Sequence, residues 1–172
     1  MELQKRKSPR IPEYDYGTPN YYFITICTHN KECLFGSPGM LNNYGILAEE
    51  NLLKIPQIHP KIQLDKYVVM PNHIHGIFVV SAEKSNMGLE DLSIVIGQYK
   101  MSVTKQIRRQ EPDRKVWQRS FHDHIIRSQK GYEKIWMYIE DNPRKWKEDC
   151  FYCNQSNSQA FGRVNDPPLQ GV

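Results

Sequence analysis

The 172-residue sequence contains no run of about 18 or more apolar residues, the length needed to cross a bilayer, and its mean hydropathy is −0.67. We therefore expect no membrane-spanning segment and no membrane partner. The basic residues 1–10 are not followed by an apolar stretch, so they do not form a secretory signal peptide. Together these absences predict a soluble, cytoplasmic protein.

Cysteine is scarce, with four residues at Cys27, Cys33, Cys150 and Cys153. Disulfides are not expected without a secretory context. A four-thiolate zinc site is an alternative, because the last two form a Cys-x-x-Cys pair. The first two are too far apart for a zinc knuckle, so free thiols are favoured.

Neither sign of charge dominates the whole chain, which has a net charge of +4. The positive charge is concentrated in one segment. Residues 100–147 contain 13 Lys and Arg against 6 Asp and Glu, whereas the rest of the chain is net negative. A basic segment of this kind favours a polyanionic partner. The alternative is an ordinary solvated surface.

The length suits one domain, and no internal repeat is present. The charged, proline-containing residues 1–19 are interpreted as an N-terminal arm, with Tyr14 and Tyr16 docking it onto the body. Residues 20–153 form the predicted main domain. Residues 154–172 are rich in Asn, Gln, Ser, Pro and Gly and are predicted to be a flexible tail.

The hydrophobic periodicity predicts an α+β fold with the order β-α-β-β-α-β-α. Strands are predicted at 21–28, at 62–70, after the turn at Pro71-Asn72, and within 117–128; helices are predicted at 45–55, 89–109 and 132–142. The first six elements match the ferredoxin-like split βαβ plan, a four-stranded antiparallel sheet with helices on one face. The C-terminal helix is an addition to that plan.

Two histidines, His73 and His75, lie in an apolar, β-branched run that predicts a strand. Side chains two positions apart on a strand point to the same face, so both imidazoles can bind one cation. Two packed or hydrogen-bonded histidines are the alternative. Gly76 follows directly and is interpreted as room for a close approach to the backbone.

Tyr138 and Asn142 are four residues apart on the last helix and therefore share a face. Tyr138 lies at the edge of the apolar stripe, where its hydroxyl can act as a nucleophile. Asn142 can supply a carbonyl oxygen to a cation beside the histidines. Taken singly, Tyr138 can also be a packing residue at the boundary of the core, and Asn142 a helix C-cap before Pro143.

These motifs resemble those of the HUH single-tyrosine transposases, and in particular the REP-associated tyrosine transposases. The similar segments are Tyr22–Thr28, Val69–Gly76, Trp117–His124 and Tyr138–Pro143, which occur in the family's order. The resemblance covers residues 14–148 and implies a ferredoxin-like fold with a C-terminal catalytic helix.

The resemblance implies that Tyr138 is the catalytic tyrosine and that His73, His75 and Asn142 bind a divalent metal, Mg²⁺ or Mn²⁺. Related transposases have Gln at the position of Asn142. The implied enzyme nicks single-stranded or hairpin DNA and transfers the strand through a 5′-phosphotyrosine intermediate, acting as a monomer or as a homodimer. Phosphate contacts are expected from basic residues of the second half: Lys100, Lys105, Arg108, Arg119, Arg127 and Arg144.

Two other functions are compared with this pattern. One is a nucleic-acid-binding module of the same fold that has lost catalysis, although all four proposed site residues are present. The other is a nucleotide hydrolase with a histidine-triad strand. That family requires a third histidine two positions after His75, where this sequence has Ile77, so it is excluded.

Overall fold

The structure of the protein is a computed structural model that describes residues 14–82 and 91–152. The strands are β1 (Asn20–Cys27), β2 (Gly36–Ser37), β3 (Met40–Leu41), β4 (Ile62–Val69), β5 (His73–Val80) and β6 (His122–Ile126). The helices are α1 (Asn43–Leu53), α2 (Ile55–Ile58), α3 (Leu92–Ile107) and α4 (Gln129–Asp141). Two 3₁₀ turns occupy His29–Lys31 and Trp146–Glu148.

Four strands form the main sheet in the order β4-β5-β1-β6, and every neighbouring pair is antiparallel. The short strands β2 and β3 pair separately within a region predicted as loop. The order and the strand directions confirm the predicted ferredoxin-like sheet, with β1 and β5 in its centre.

One face of the sheet carries the larger apolar core. Tyr22, Ile24 and Ile26 alternate along β1 toward this face, and Phe78 joins them from β5. They pack with the apolar sides of α1 and α3, which supply residues such as Ile96. This packing confirms that helices cover one face. It holds the sheet rigidly from that side.

The opposite face is covered by α4. Phe23 and Ile77 of the sheet pack against Ile135 and Ile139 of this helix in a second, smaller cluster. His75 points to the same face, because it lies two residues from Ile77 on one strand. The final helix is therefore placed over the strand that carries the histidines.

The helix ends depart from the predicted bounds for local reasons. Helix α4 begins at Gln129 because the side chain of Ser128 accepts the Gly131 amide, which satisfies one amide of the first turn. The helix predicted to stop at Pro56 ends at Leu53 instead, and Pro56 stands in the first turn of α2. Proline is tolerated there because its missing N–H has no helical acceptor in the first turn.

The last residues of the predicted arm pack on the body. Tyr16 is buried against Phe121, and the Tyr14 hydroxyl lies 3.2 Å from that of Tyr22. Residues 1–13, the predicted helix start at 89, Cys153 and the tail 154–172 lie outside the described residues. Among the helices of the described part, none is long and apolar enough to span a membrane.

Candidate active site

Strand β5 brings His73 and His75 to the face under α4, and both side chains are fully buried. His73 is paired with Cys27 of β1, and His75 is paired with Thr25. Since β5 is hydrogen-bonded on both sides, these two imidazoles project from the most constrained part of the sheet. Their ring centroids are 4.4 Å apart, which is close enough for one ion to be shared.

The tautomer of His73 follows from its neighbour Asn72. The amide nitrogen of Asn72 donates to the carbonyl oxygens of Lys31 and Phe151, at 3.0 and 2.8 Å. Its oxygen therefore faces His73 Nδ1 at 2.8 Å, and only an N–H on Nδ1 can complete this bond. The lone pair of His73 is thus on Nε2, a buried atom with no hydrogen-bond partner among the described residues.

His75 is held from two sides. Its Nδ1 lies 2.8 Å from the hydroxyl oxygen of Thr25, and its Nε2 lies 3.2 Å from the hydroxyl of Tyr138. The ring also stacks on Phe23, with centroids 5.2 Å apart. A histidine gripped at Nδ1 in this way can present Nε2 in a fixed direction.

Burial determines the protonation of both histidines. Burial, followed by the charge of Lys31, lowers the pKa of His73 to about 3. Burial, and then the closeness of His73, hold the pKa of His75 well below its usual value. Both rings are therefore neutral near pH 7, the form in which imidazole binds a metal.

Tyr138 comes from the last turn of α4, on the side of the helix that meets the sheet. Its hydroxyl donates to a carboxylate oxygen of Asp149 at 3.2 Å while it remains in contact with His75. Burial, followed by the charge of Asp149, raises the pKa of the Tyr138 phenol above its usual range. The phenol is therefore held as a neutral donor in this arrangement.

Asn142 lies one turn beyond Tyr138, at the C-terminal cap of α4, and is buried. Its amide nitrogen donates to Asp149 Oδ2 at 2.8 Å. Its oxygen is buried and has no hydrogen-bond donor in the described part of the chain. The site thus contains two buried lone-pair atoms without a donor, one on His73 and one on Asn142, and this is the pattern that a cation would satisfy.

Residues 146–152, which we name the C-terminal strap, cover the histidines. The ring of Phe151 lies 4.7 Å from that of His73 and 6.0 Å from that of His75, measured between centroids. Trp146 lies 5.9 Å from His73 in the same measure. Asp149 is on this strap, and one ligand atom from each of Asp149, His73 and His75 lies within 4.8 Å of the other two.

The basic residues predicted to contact DNA are distributed over two sides of the protein. Lys105 and Arg108 are exposed on α3, across the sheet from Tyr138, and line a surface cavity of about 560 Å³. Lys100 borders the same cavity, but its amino group donates to the carbonyl oxygens of Gln118 and Ser120. The three remaining predicted contacts are exposed outside α3, at Arg119, Arg127 and Arg144.

Gly76 leaves room for a close approach to the backbone, as predicted, and the group that approaches is the Phe78 ring. A Cβ atom at this position would lie 2.8 Å from the Phe78 ring, on the face of α1 and α3. The space beside the glycine is therefore filled by the core, on the side of the sheet away from the histidines.

Sequence reasoning missed three residues of the site: Asn72, Thr25 and Asp149. Asn72 had been interpreted as part of a turn, and Thr25 as one of several β-branched strand residues. Asp149 follows the predicted end of the last helix, in a stretch without periodicity or motif. Cross-strand register links Thr25 to His75, but no local signal indicates Asp149.

Comparison with known proteins supports the fold. No family model matches the sequence. The structure is similar to a solved structure of the REP-associated tyrosine transposase bound to a REP hairpin, with a TM-score of 0.53, 18% identity and coverage of 96% of this chain and 94% of that one. A candidate transposase from Deinococcus radiodurans gives a TM-score of 0.49 at 14% identity, covering 77% of this chain and 95% of that one.

The chain therefore has the fold of the REP-associated tyrosine transposases, and the predicted resemblance to this group of HUH proteins is confirmed at the level of the fold. In sequence it is 34% identical over 170 residues to an uncharacterized protein of Haemophilus influenzae. The alignment covers 87% of this chain and 94% of that protein. The chain belongs to the same family as this Haemophilus influenzae protein.

Proposed function

We propose that the protein is a metal-dependent DNA strand transferase that nicks single-stranded or hairpin DNA through Tyr138. The observation that carries this proposal is the position of the Tyr138 hydroxyl, 3.2 Å from Nε2 of the buried His75. The solved structure with the same fold is of a transposase bound to a REP hairpin, which is consistent with a DNA substrate for this chain.

In the proposed reaction, the Tyr138 oxygen attacks the phosphorus of a DNA phosphodiester. The O–P bond to tyrosine forms as the bond to the 3′ oxygen breaks, the phenol loses its proton, and the leaving oxygen gains one. The products are a 5′-phosphotyrosine and a free 3′-hydroxyl. Because the phosphodiester energy is retained in the covalent link, a 3′-hydroxyl can reverse the step and join strands without ATP.

The residues fit a divalent ion, Mg²⁺ or Mn²⁺. His73 and His75 would hold it through nitrogen, and Asn142 through its buried, donor-free oxygen. Two imidazoles favour Mn²⁺ of the two. When bound, the ion supplies charge stabilisation at the scissile phosphate.

The protein's own groups prepare the nucleophile. Asn72 and Thr25 fix the two rings from behind, and helix α4 fixes Tyr138 in front of them. Asp149 accepts a hydrogen bond from the phenol at 3.2 Å and is the carboxylate to which that proton can move. Because the Tyr138 hydroxyl meets His75 within one chain, a single molecule brings all the proposed groups together. This favours a monomeric enzyme.

The experiment is a covalent-adduct assay on a hairpin oligonucleotide labelled at its 3′ end, with Mn²⁺ present. The unaltered protein should retain the label on a denaturing gel, and Tyr138→Phe should lose it completely. Tyr132→Phe is a matched control, because Tyr132 is on the same helix but donates to Asp65 instead. It should form the adduct normally.

Binding of the same hairpin by fluorescence anisotropy should be unchanged in Tyr138→Phe, since only one hydroxyl is removed. An adduct that persists in Tyr138→Phe would contradict the assignment of the nucleophile. DNA binding by the unaltered protein without any adduct would instead support a binding module that has lost catalysis.

A further inference from the structure

The proposed ligand set of two histidines and an asparagine has no formal charge. An imidazole binds a metal in its neutral form, and the amide of Asn142 carries no charge. Mg²⁺ and Mn²⁺ bind best where at least one ligand is a carboxylate. A buried dication held by three neutral ligands would also have no negative charge among its ligands to balance its own.

One carboxylate is already at the site. The ligand atoms of Asp149, His73 and His75 all lie within 4.8 Å of one another. We infer that Asp149 is a direct ligand of the divalent ion, so that the site is a two-histidine, one-carboxylate centre with the carboxylate supplied by the C-terminal strap. This inference rests on the proposed function only in assuming that the same divalent ion binds at the histidines.

The carboxylate is fixed where a ligand would be needed. Its Oδ1 accepts the backbone amide of Phe151 at 2.6 Å. The strap is anchored in turn, because Phe151 is buried against the histidine rings and its carbonyl oxygen accepts the Asn72 amide. Asn72, which orients His73, thus also anchors Phe151, the residue whose amide holds Asp149.

The other oxygen, Oδ2, faces the centre of the site. It accepts the Asn142 amide at 2.8 Å and the Tyr138 hydroxyl at 3.2 Å. These two donors are the groups that the proposed chemistry uses as ligand and as nucleophile. The carboxylate therefore stands between the ligand set and the tyrosine.

The test is calorimetric titration of the full chain with MnCl₂, without DNA. Asp149→Asn keeps the shape of the side chain and removes its charge, and we expect it to weaken Mn²⁺ binding by at least about tenfold. Glu148→Gln is the matched control: it removes one negative charge from the adjacent exposed residue and should leave the affinity within about twofold.

The outcomes separate this inference from the proposed function. Equal Mn²⁺ affinity in Asp149→Asn and the unaltered protein would overturn the ligand assignment, even if that variant formed the DNA adduct slowly as expected for a proton acceptor. A loss of affinity of the same size in Glu148→Gln would also overturn the ligand assignment. It would show that the effect comes from the change in net charge alone.

Failure of Asp149→Asn to fold, seen as a loss of the far-ultraviolet circular dichroism of the unaltered protein, is covered by a second variant. Asp149→Glu retains the carboxylate on a longer chain, and we expect it to bind Mn²⁺ more tightly than Asp149→Ala. Equal affinity of these two variants overturns the inference. No Mn²⁺ binding by the unaltered protein would overturn both the ligand assignment and the metal requirement of the proposed reaction.

Discussion

On the face of α1 and α3, the sheet meets its helices through a continuous apolar core, whereas on the face of α4 the apolar cluster is small and borders buried polar groups. His73, His75 and Asn142 are all buried on the second face. Burying a polar group without a partner destabilises a fold. The comparison teaches that the first face supplies the stability that lets the second carry reactive groups.

The largest effect on stability is expected in the core between the sheet and helices α1 and α3. Phe78→Ala removes a ring that is 1% exposed and leaves a cavity between the sheet and α3. We expect the free energy of unfolding to fall by about 3–5 kcal/mol. Urea denaturation measures this, with Met101→Ala as the control, because that side chain is 64% exposed on α3. Equal losses in the two variants would contradict the stabilising role of this core.

The second prediction concerns pH and the polar face. His73 has a folded-state pKa of about 3 against about 6.5 in the unfolded chain, so the unfolded state binds more protons as the pH falls. Its stabilisation is complete above pH 6.5 and declines below it, by about 2 kcal/mol on going from pH 7 to pH 5. His75 changes in the same direction.

Urea denaturation at pH 7 and pH 5 tests this for the unaltered protein and for His73→Gln. The variant lacks one titrating ring, so its stability should depend less steeply on pH. An identical pH dependence in the two proteins would show that His73 is not held neutral by the fold.

The third prediction links the two central strands to the metal. Thr25→Val keeps the shape of the side chain but removes the oxygen that lies 2.8 Å from His75 Nδ1. The ring then loses its orientation, and we expect Mn²⁺ affinity to fall by about tenfold, at the low end for groups that support a metal ligand. Calorimetry measures it; unchanged affinity would mean that packing on Phe23 alone orients His75.

The smallest effect is expected on the outer surface of α3. Arg108→Gln removes one exposed charge beside the basic cavity, and the slope of log K for DNA against log salt concentration should fall by about 1. Arg144→Gln, on the other side of the sheet, is the comparison. A reduced slope in Arg144→Gln alone would restrict DNA binding to the face of Tyr138.

Much of the fold could be predicted from sequence because its pattern is local. The strand predicted at 21–28 is observed at Asn20–Cys27, since its run of aromatic and β-branched residues is visible residue by residue. The start of α4 was placed three residues late, because the apolar stripe begins after the cap that Ser128 provides. Helix caps depend on single polar residues, which periodicity does not register.

The site divides in the same way. The pair His73 and His75, and the spacing of Tyr138 and Asn142, follow from strand and helix geometry within short segments. Asp149 does not, because its place depends on a turn after Pro143 and on the docking of Phe151 against a distant strand. Such a contact is decided by tertiary packing and leaves no regular pattern in the sequence.

The side chain of Asn72 joins three parts of the chain, through the carbonyl oxygens of Lys31 and Phe151 and through the His73 ring. The bond to Phe151 spans 79 positions, so it closes the longest of these loops. Contacts between distant positions require loop closure and tend to form after local ones. We therefore expect the active site to be completed late in folding, after the hairpin of β4 and β5 has set the turn at Asn72. In a partly folded chain the histidines would not yet be covered by the C-terminal strap.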